Sequence, residues 1–120
     1  MRVLLDHCVP RRFKRLISGH QVSTAYELGW AGLKNGALLV RASVQVDAFV
    51  TVDQNLQFQQ NLAALPLPVV LLVAPDNRFE TLAPYAPKLL EVLSQPLARE
   101  LVRIESPDRV VRVSARQLRP

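Results

Sequence analysis

Residues 69–73 read Val-Val-Leu-Leu-Val, the most hydrophobic run of the chain. The run is continuous rather than alternating, which is typical of a parallel strand that is covered on both faces. The whole apolar stretch, from Leu65 to Ala74, contains two prolines and is far shorter than the roughly 20 residues that a membrane-spanning helix needs. We therefore predict a central strand of a sheet at 69–73, and no transmembrane segment.

Shorter apolar runs precede this strand, and two of them end in an acid. Residues 3–5 are followed by Asp6, and residues 48–52 are followed by Asp53. Residues 20–24 form another candidate strand. Because ligands of parallel sheets bind outside the carboxyl ends of the strands, the two aspartates are the first candidates for a site.

The segments between these strands have helical periodicity. The predicted helices cover residues 11–18, 35–44, 54–62 and 79–93, with a short helical turn near 27–32. Leu56, Phe58 and Leu62 would point inward from the third of them. Near the end, residues 101–105 and 110–114 alternate apolar and polar side chains around a turn.

This alternation of strands and helices predicts a three-layer α/β/α sandwich with a central, mainly parallel sheet and a C-terminal antiparallel hairpin. A length of 120 residues, 49% of them hydrophobic, suits one domain. We assign residues 1–96 to that domain and residues 97–120 to a hairpin extension packed on it.

Charge and cysteine content narrow the class of protein. The chain has 15 Lys and Arg against 10 Asp and Glu, a net charge of +5, which suits an anionic partner such as nucleic acid. Cys8 is the single cysteine, so an internal disulfide and a cysteine-rich zinc cluster are excluded. With no signal peptide recognisable after Met1, we expect a cytoplasmic protein.

The two strand-end aspartates allow two interpretations. If they face one crevice, their repulsion favours a hard cation such as Mg²⁺ or Mn²⁺, which could activate water against a phosphodiester. The alternative is that Asp53 only caps the helix that follows it.

Three stretches resemble a bacterial PIN-like domain family of uncharacterised function. They are MRVLLDHCVPRR (1–12), GHQV leading to ELGWAG (19–32) and VTVDQNL (50–56), and the resemblance covers roughly residues 1–95. That family is similar to the VapC-type toxin ribonucleases. The resemblance implies a PIN-like fold, a Mg²⁺ or Mn²⁺ site built from acids, single-stranded RNA as substrate and a small antitoxin protein as partner.

Carried over by position, Asp6 and Asp53 match the family's metal-binding aspartates, and Thr51 is the accompanying hydroxyl. The chain also departs from the family. His7 stands where relatives usually carry Glu or Asn, and Asn35 and Ala37 stand where relatives often carry Asp and Glu. A middle acid is therefore missing, unless Glu27 or Asp47 replaces it as a metal ligand. Either acid could instead face solvent or cap a neighbouring element.

Other side chains near these aspartates have both a functional and an ordinary interpretation. Arg11, Arg12, Lys14 and Arg15 could hold RNA phosphates or form an exposed helix face. Tyr26, Trp30 and Phe58 could stack on bases or belong to the core. His7 could bind a metal or take a proton, or be a loop residue, and Cys8 is more typical of a buried thiol than of a nucleophile.

These observations predict a PIN-like, Mg²⁺- or Mn²⁺-dependent endoribonuclease, the toxin of a toxin–antitoxin pair. The alternative is a catalytically weakened PIN-like module that binds RNA or a partner protein without cleavage, as the missing acids at 35 and 37 suggest. A third hypothesis is a structural or regulatory subunit that forms a homodimer through the hairpin edge.

Overall fold

The computed structural model describes residues 1–113. It contains one six-stranded sheet, and the strands are β1 (Arg2–Leu5), β2 (Gln21–Thr24), β3 (Ala48–Thr51), β4 (Val69–Leu72), β5 (Leu101–Ser106) and β6 (Arg109–Val113). All six predicted strands are present. Ser114 of the predicted hairpin and residues 115–120 of the predicted extension lie outside the described residues.

The strand order in the sheet is β2-β1-β3-β4-β5-β6. Strands β1 to β5 are mutually parallel, and only β6 runs antiparallel to its neighbour β5. This confirms the prediction of an α/β fold with a mainly parallel sheet and a C-terminal antiparallel pair. It also places β4 inside the sheet, with its four side chains buried.

Apolar side chains cover both faces of the sheet, because successive residues of a strand point to opposite sides. Val3 and Leu5 belong to one hydrophobic cluster and Leu4 to the other, and all three are fully buried. Burying such a side chain stabilises the fold by about 1.5–3 kcal/mol. The two clusters therefore fix the register of β1 and, with it, the position of the residue that follows.

The helices are shorter than their periodicity predicts. The helical elements are the 3-10 helix Arg11–Leu16, α1 (Asn35–Ala42), α2 (Leu56–Gln59), the 3-10 helix Leu62–Ala64, α3 (Phe79–Leu82), the 3-10 helix Ala83–Tyr85 and α4 (Ala86–Leu93). Pro84 and Pro87 explain the division of the last helical region, since proline cannot supply the backbone N–H that a continuous helix requires.

The predicted helix at 54–62 is wrong in its extent. Helix α2 ends after one turn because Gln60 adopts an extended conformation, and the Asn61 side chain then accepts a hydrogen bond from Ala63 N (3.1 Å). This side-chain bond favours a turn over a continuing helix. Phe58, predicted to point inward, is 81% exposed as a result.

The predicted helical turn near 27–32 is a succession of turns in which Gly29 has a positive φ of 76°. Glycine is the residue that adopts this conformation without steric cost. Within residues 1–113, no helix is long and apolar enough to cross a membrane.

Candidate functional site

Asp6 and Asp53 lie beyond the carboxyl ends of neighbouring parallel strands. Leu5 of β1 pairs with Val50 of β3, and the backbone N–H of Asp6 donates to the Val50 carbonyl oxygen at 2.9 Å. Asp6 is thus held in line with Thr51, the last residue of β3. The prediction that the two strand ends meet at one edge of the sheet agrees with this register.

Asp6 is almost fully buried, with 1% of its surface exposed, and each of its carboxylate oxygens has two partners. Oδ1 lies 2.8 Å from the His7 backbone N and 2.9 Å from His7 Nδ1. Oδ2 accepts from the Thr51 hydroxyl at 2.7 Å and from the Cys8 thiol at 3.5 Å. A carboxylate offers about four acceptor positions, and three of those on Asp6 accept hydrogen bonds from the chain.

Thr51 joins the two aspartates. Its side chain is completely buried; the hydroxyl donates to Asp6 Oδ2, and the same oxygen accepts from the backbone N–H of Asp53 at 3.0 Å. One hydroxyl therefore links the acid after β1 to the backbone of the acid after β3.

Asp53 is only half-buried, and it accepts one hydrogen bond at each oxygen. Oδ1 accepts from the backbone N of Asn55 at 3.0 Å, and Oδ2 accepts from the side-chain amide of Asn35 at 3.1 Å. The first bond organises the turn that leads into α2, which is the ordinary role that Asp residues play before helices. At position 35, where the resemblance expects an acid, the chain therefore supplies a donor to Asp53.

The two carboxylates line different cavities. Asp6 lies in a cavity of about 400 Å³, and Asp53 lies in one of about 580 Å³. His7 lines both cavities and therefore stands between them. The side chain of His7 is about half exposed (53%).

Glu27 and Asp47, considered as replacement ligands, are not brought to the aspartate pair. Glu27 binds Lys14 Nζ at 3.0 Å and accepts from Thr24 N at 3.0 Å, and the bond from Lys14 is the main cause of its lowered pKa. Asp47 precedes β3 and so lies at the amino ends of the parallel strands, at the end of the sheet opposite to Asp6 and Asp53. There it accepts from Arg2 N at 2.7 Å, which is the main cause of its lowered pKa.

The four predicted phosphate-binding cations lie together on the 3-10 helix Arg11–Leu16. Arg11, Arg12, Lys14 and Arg15 line a cavity of about 590 Å³ beside Glu27. Arg12 also lies over the ring of Phe79, 4.3 Å from its centroid, and such a contact holds the guanidinium in place. Arg11 lines the Asp6 cavity as well, so the basic surface is continuous with it.

The three aromatic residues considered for base stacking differ in their exposure to solvent. Trp30 is 7% exposed and belongs to the core, whereas Tyr26 is 76% exposed and lines the Asp6 cavity next to Arg11. Phe58 is exposed on α2. Of the three, Tyr26 lies beside an aspartate and is accessible for stacking.

Three polar residues that the sequence did not single out also line these cavities. Asn77 donates from its amide to the carbonyl oxygen of Cys8 at 2.9 Å and lines the Asp6 cavity. Gln59 and Gln60 line the Asp53 cavity. The run Gln-Phe-Gln-Gln-Asn at 57–61 is the sequence signal that could have identified the glutamines, because it follows the strand-end acid by one helical turn.

Cys8 contacts both Asp6 and Thr51. Its pKa is raised, first by burial of the thiol and second by the negative charge of Asp6. Because the thiolate is the reactive form, this shift lowers the fraction of Cys8 that is reactive at a given pH. Cys8 is thus partly buried and lines the Asp6 cavity, rather than being fully buried as expected.

A divalent cation at Asp6 would meet competition from groups of the chain. Three hydrogen bonds already reach the Asp6 carboxylate, and His7 Nδ1 lies 2.9 Å from Oδ1. Across residues 1–113, no group of three or more His, Cys, Asp or Glu side chains is placed to hold a metal ion. A cation at Asp6 Oδ1 would compete with His7 for this oxygen.

We compared the chain with protein-family models, with curated proteins and with solved structures, and none of the three comparisons found a match.

Proposed function

We propose that this protein is a PIN-like module that binds single-stranded RNA at the carboxyl edge of its sheet. The observation that carries the proposal is the continuous basic surface: the four cations of residues 11–15 line one cavity, and Arg11 also lines the neighbouring cavity that contains Asp6 and Tyr26. Positive side chains supply most of the affinity of such interfaces through phosphate contacts.

Two of the four cations are best placed to hold phosphates. Arg11 and Arg15 are exposed, and within residues 1–113 neither forms a salt bridge, whereas Lys14 is paired with Glu27. Each phosphate contact to a single strand contributes about −0.7 to the slope of log affinity against log salt. Binding should therefore weaken steeply as salt concentration rises.

Tyr26 favours a single strand over a duplex. Tyr26 is 76% exposed and lines the same cavity as Arg11, and stacking of an unpaired base on an aromatic ring contributes about 1–3 kcal/mol. In a duplex the base faces are covered by their neighbours, so this contribution is lost. The combination of cations and one exposed aromatic ring suits single-stranded RNA.

The test is fluorescence anisotropy with a labelled single-stranded RNA decamer in EDTA. We expect salt-dependent binding, a loss of about tenfold or more in the Arg11→Ala/Arg15→Ala double variant, and a smaller loss in Tyr26→Ala. Arg99→Ala is the matched control, because Arg99 is exposed and lines a cavity with Asp47 at the opposite edge. Equal losses in the double variant and the control, or no RNA binding, would overturn the proposal.

A second candidate is metal-dependent RNA cleavage, which would make the protein the toxin of a toxin–antitoxin pair. The observation in its favour is Asp6, a buried carboxylate whose only ion-pair partner among residues 1–113 is His7 and which Thr51 links to Asp53. A buried acid without Lys or Arg is costly for stability, which favours a functional reason for its presence.

Cleavage and binding are separated by adding Mg²⁺ or Mn²⁺ to the same RNA. We expect binding without cleavage for the wild-type protein, since the cation must compete with His7 for Asp6. Metal-dependent cleavage that is abolished in Asp6→Asn and increased in His7→Ala would establish the nuclease instead.

A further inference from the structure

We propose that the cavity beside Asp53 binds one unpaired nucleobase that carries an exocyclic amino group, and that the protein thereby discriminates against uracil. This inference rests on the proposed function, because it names which bases of a bound RNA strand the site prefers. The cavity lies on the far side of His7 from the Asp6 cavity.

The cavity has the size and walls that a base requires. Its volume is about 580 Å³, within the range of about 300–1,000 Å³ that is usual for small-ligand sites. The residues used in this argument are Leu33, Lys34, Asn35, Asp53, Gln59 and Gln60, all of which line the cavity. Leu33 provides an apolar wall, and the exposed Lys34 provides a positive charge at the rim for a neighbouring phosphate.

Asp53 supplies the acceptors that select the base. Each of its oxygens accepts one hydrogen bond from the chain, one from Asn55 N and one from Asn35 Nδ2, and a carboxylate oxygen can accept two. One acceptor position therefore remains at each oxygen. Adenine, cytosine and guanine present an exocyclic N–H₂ that can donate to it, whereas uracil presents carbonyl oxygens in its place.

The bond from Asn35 also holds Asp53 in a fixed orientation. A carboxylate that is already positioned loses little rotational freedom when it binds a base, so more of the hydrogen-bond energy appears as selectivity. Uracil can offer only its ring N3–H, which is flanked by two carbonyl oxygens, so its binding would also bring an oxygen towards the carboxylate, and this repulsion is the stronger source of discrimination.

Gln59 and Gln60 add groups that can both donate and accept. Gln60 lies against the first turn of α1: both atoms of its amide are 3.8 Å from the position that a Cβ on Gly36 would occupy. Within residues 1–113, the side chains of these two glutamines form no hydrogen bond. The hydrogen bonds of this cavity instead connect Asp53 to Asn35 and to Asn55. Carboxamides of this kind are the usual partners of adenine edges.

The position of His7 connects the two cavities along one strand of RNA. The Asp6 cavity opens beside Arg11 and Tyr26, and the Asp53 cavity begins on the other side of the His7 ring. A strand whose phosphates lie on the basic 3-10 helix and which passes His7 would therefore place its next base beside Asp53.

The test compares two labelled RNAs, decauridylate and the same decamer with one central adenosine, by anisotropy in EDTA. We expect the wild-type protein to bind the adenosine-containing RNA about tenfold more tightly. Asp53→Asn and Gln60→Ala should reduce this preference to about twofold or less. Gln45→Ala, an exposed glutamine after α1, is the matched control and should keep the preference.

Arg15→Ala separates base selection from phosphate binding, since it should weaken both RNAs by the same factor. Equal wild-type affinity for the two RNAs, or a preference that persists in both Asp53→Asn and Gln60→Ala, would overturn the inference and leave RNA binding intact. Failure of the wild-type protein to bind either RNA would overturn the proposed function and this inference together.

Discussion

Asp6 and Asp53 occupy equivalent places in the chain, each one or two residues beyond a buried parallel strand, but their surroundings differ. Asp6 is 1% exposed, and its carboxylate accepts three hydrogen bonds and lies 2.9 Å from His7 Nδ1, whereas Asp53 is half-buried and its carboxylate accepts two. The residues that follow explain the difference. His7 and Cys8 turn back towards the first carboxylate, while the second is followed by a two-residue turn and then by α2. The same motif thus yields one enclosed acid and one with unused acceptor positions.

The largest effect that tests this comparison is the loss of stability in Asp6→Ala. The substitution leaves the Thr51 hydroxyl and the His7 backbone N–H without their buried acceptor, and each orphaned donor costs about 1–3 kcal/mol. We expect a decrease of about 3 kcal/mol in the free energy of unfolding, measured by urea denaturation. Asp108→Ala, in the exposed turn before β6, is the control with an expected change below about 0.5 kcal/mol. A loss below about 1 kcal/mol for Asp6→Ala would contradict the enclosed role.

Thr51→Val should have the next largest effect, because it breaks the link between the two acids at nearly constant volume. Asp6 loses its shortest bond and Asp53 N loses its acceptor, so we expect about 2 kcal/mol of destabilisation in the same assay. Thr51→Ser keeps the hydroxyl and removes only a methyl group, at a cost of about 1 kcal/mol. If serine costs as much as valine, the hydroxyl bridge is not what matters at this position.

Asp53→Ala should destabilise the protein by only about 1 kcal/mol, the usual cost of losing a side-chain acceptor before a helix. Asp53→Asn keeps an acceptor for Asn55 N and should be nearly neutral. Denaturation curves for the three proteins check the ranking. A larger loss for Asp53→Ala than for Asp6→Ala would reverse the comparison.

The smallest effect concerns the thiol next to Asp6. Because burial and the Asp6 charge raise the pKa of Cys8 in the folded protein, the unfolded chain ionises first as pH increases. The contribution of Cys8 to stability is therefore complete below the ordinary thiol pKa of about 8.5 and decreases above it. Iodoacetamide labelling, followed by mass spectrometry at pH 8, should be slower for the native protein than for the urea-unfolded one. Labelling of the native protein at the unfolded rate would show that Cys8 is not enclosed with Asp6.

Most of the fold could be predicted from the sequence, because it depends on apolar patterning that is visible in single segments. The continuous run at 69–73 identified β4, and the alternation after residue 100 identified the hairpin. The lengths of the helices could be predicted less well from the sequence. The single turn of α2 depends on the side-chain bond at Asn61, and the local periodicity around Phe58 does not reveal it.

The candidate site could be predicted only as a location. Strand-end position placed Asp6 and Asp53 at one end of the sheet, but their burial and hydrogen bonding also depend on residues that are distant in sequence, such as Thr51, which is 45 positions from Asp6. The amide of Asn35 illustrates the limit. Its hydrogen bond to Asp53 forms because the start of α1 packs beside the end of β3. No local sequence pattern reveals this packing.

The order of strands in the sheet has a consequence for synthesis on the ribosome. β4 pairs on one side with β3, but its other side stays unpaired until β5 is synthesised, about 30 residues later. Until then the chain has an uncovered hydrophobic edge, Val69–Leu72, of the kind that pairs with other chains and aggregates. Synthesis of the hairpin therefore covers this edge of β4. A nascent chain that is stopped before residue 101 should need chaperones to prevent its aggregation.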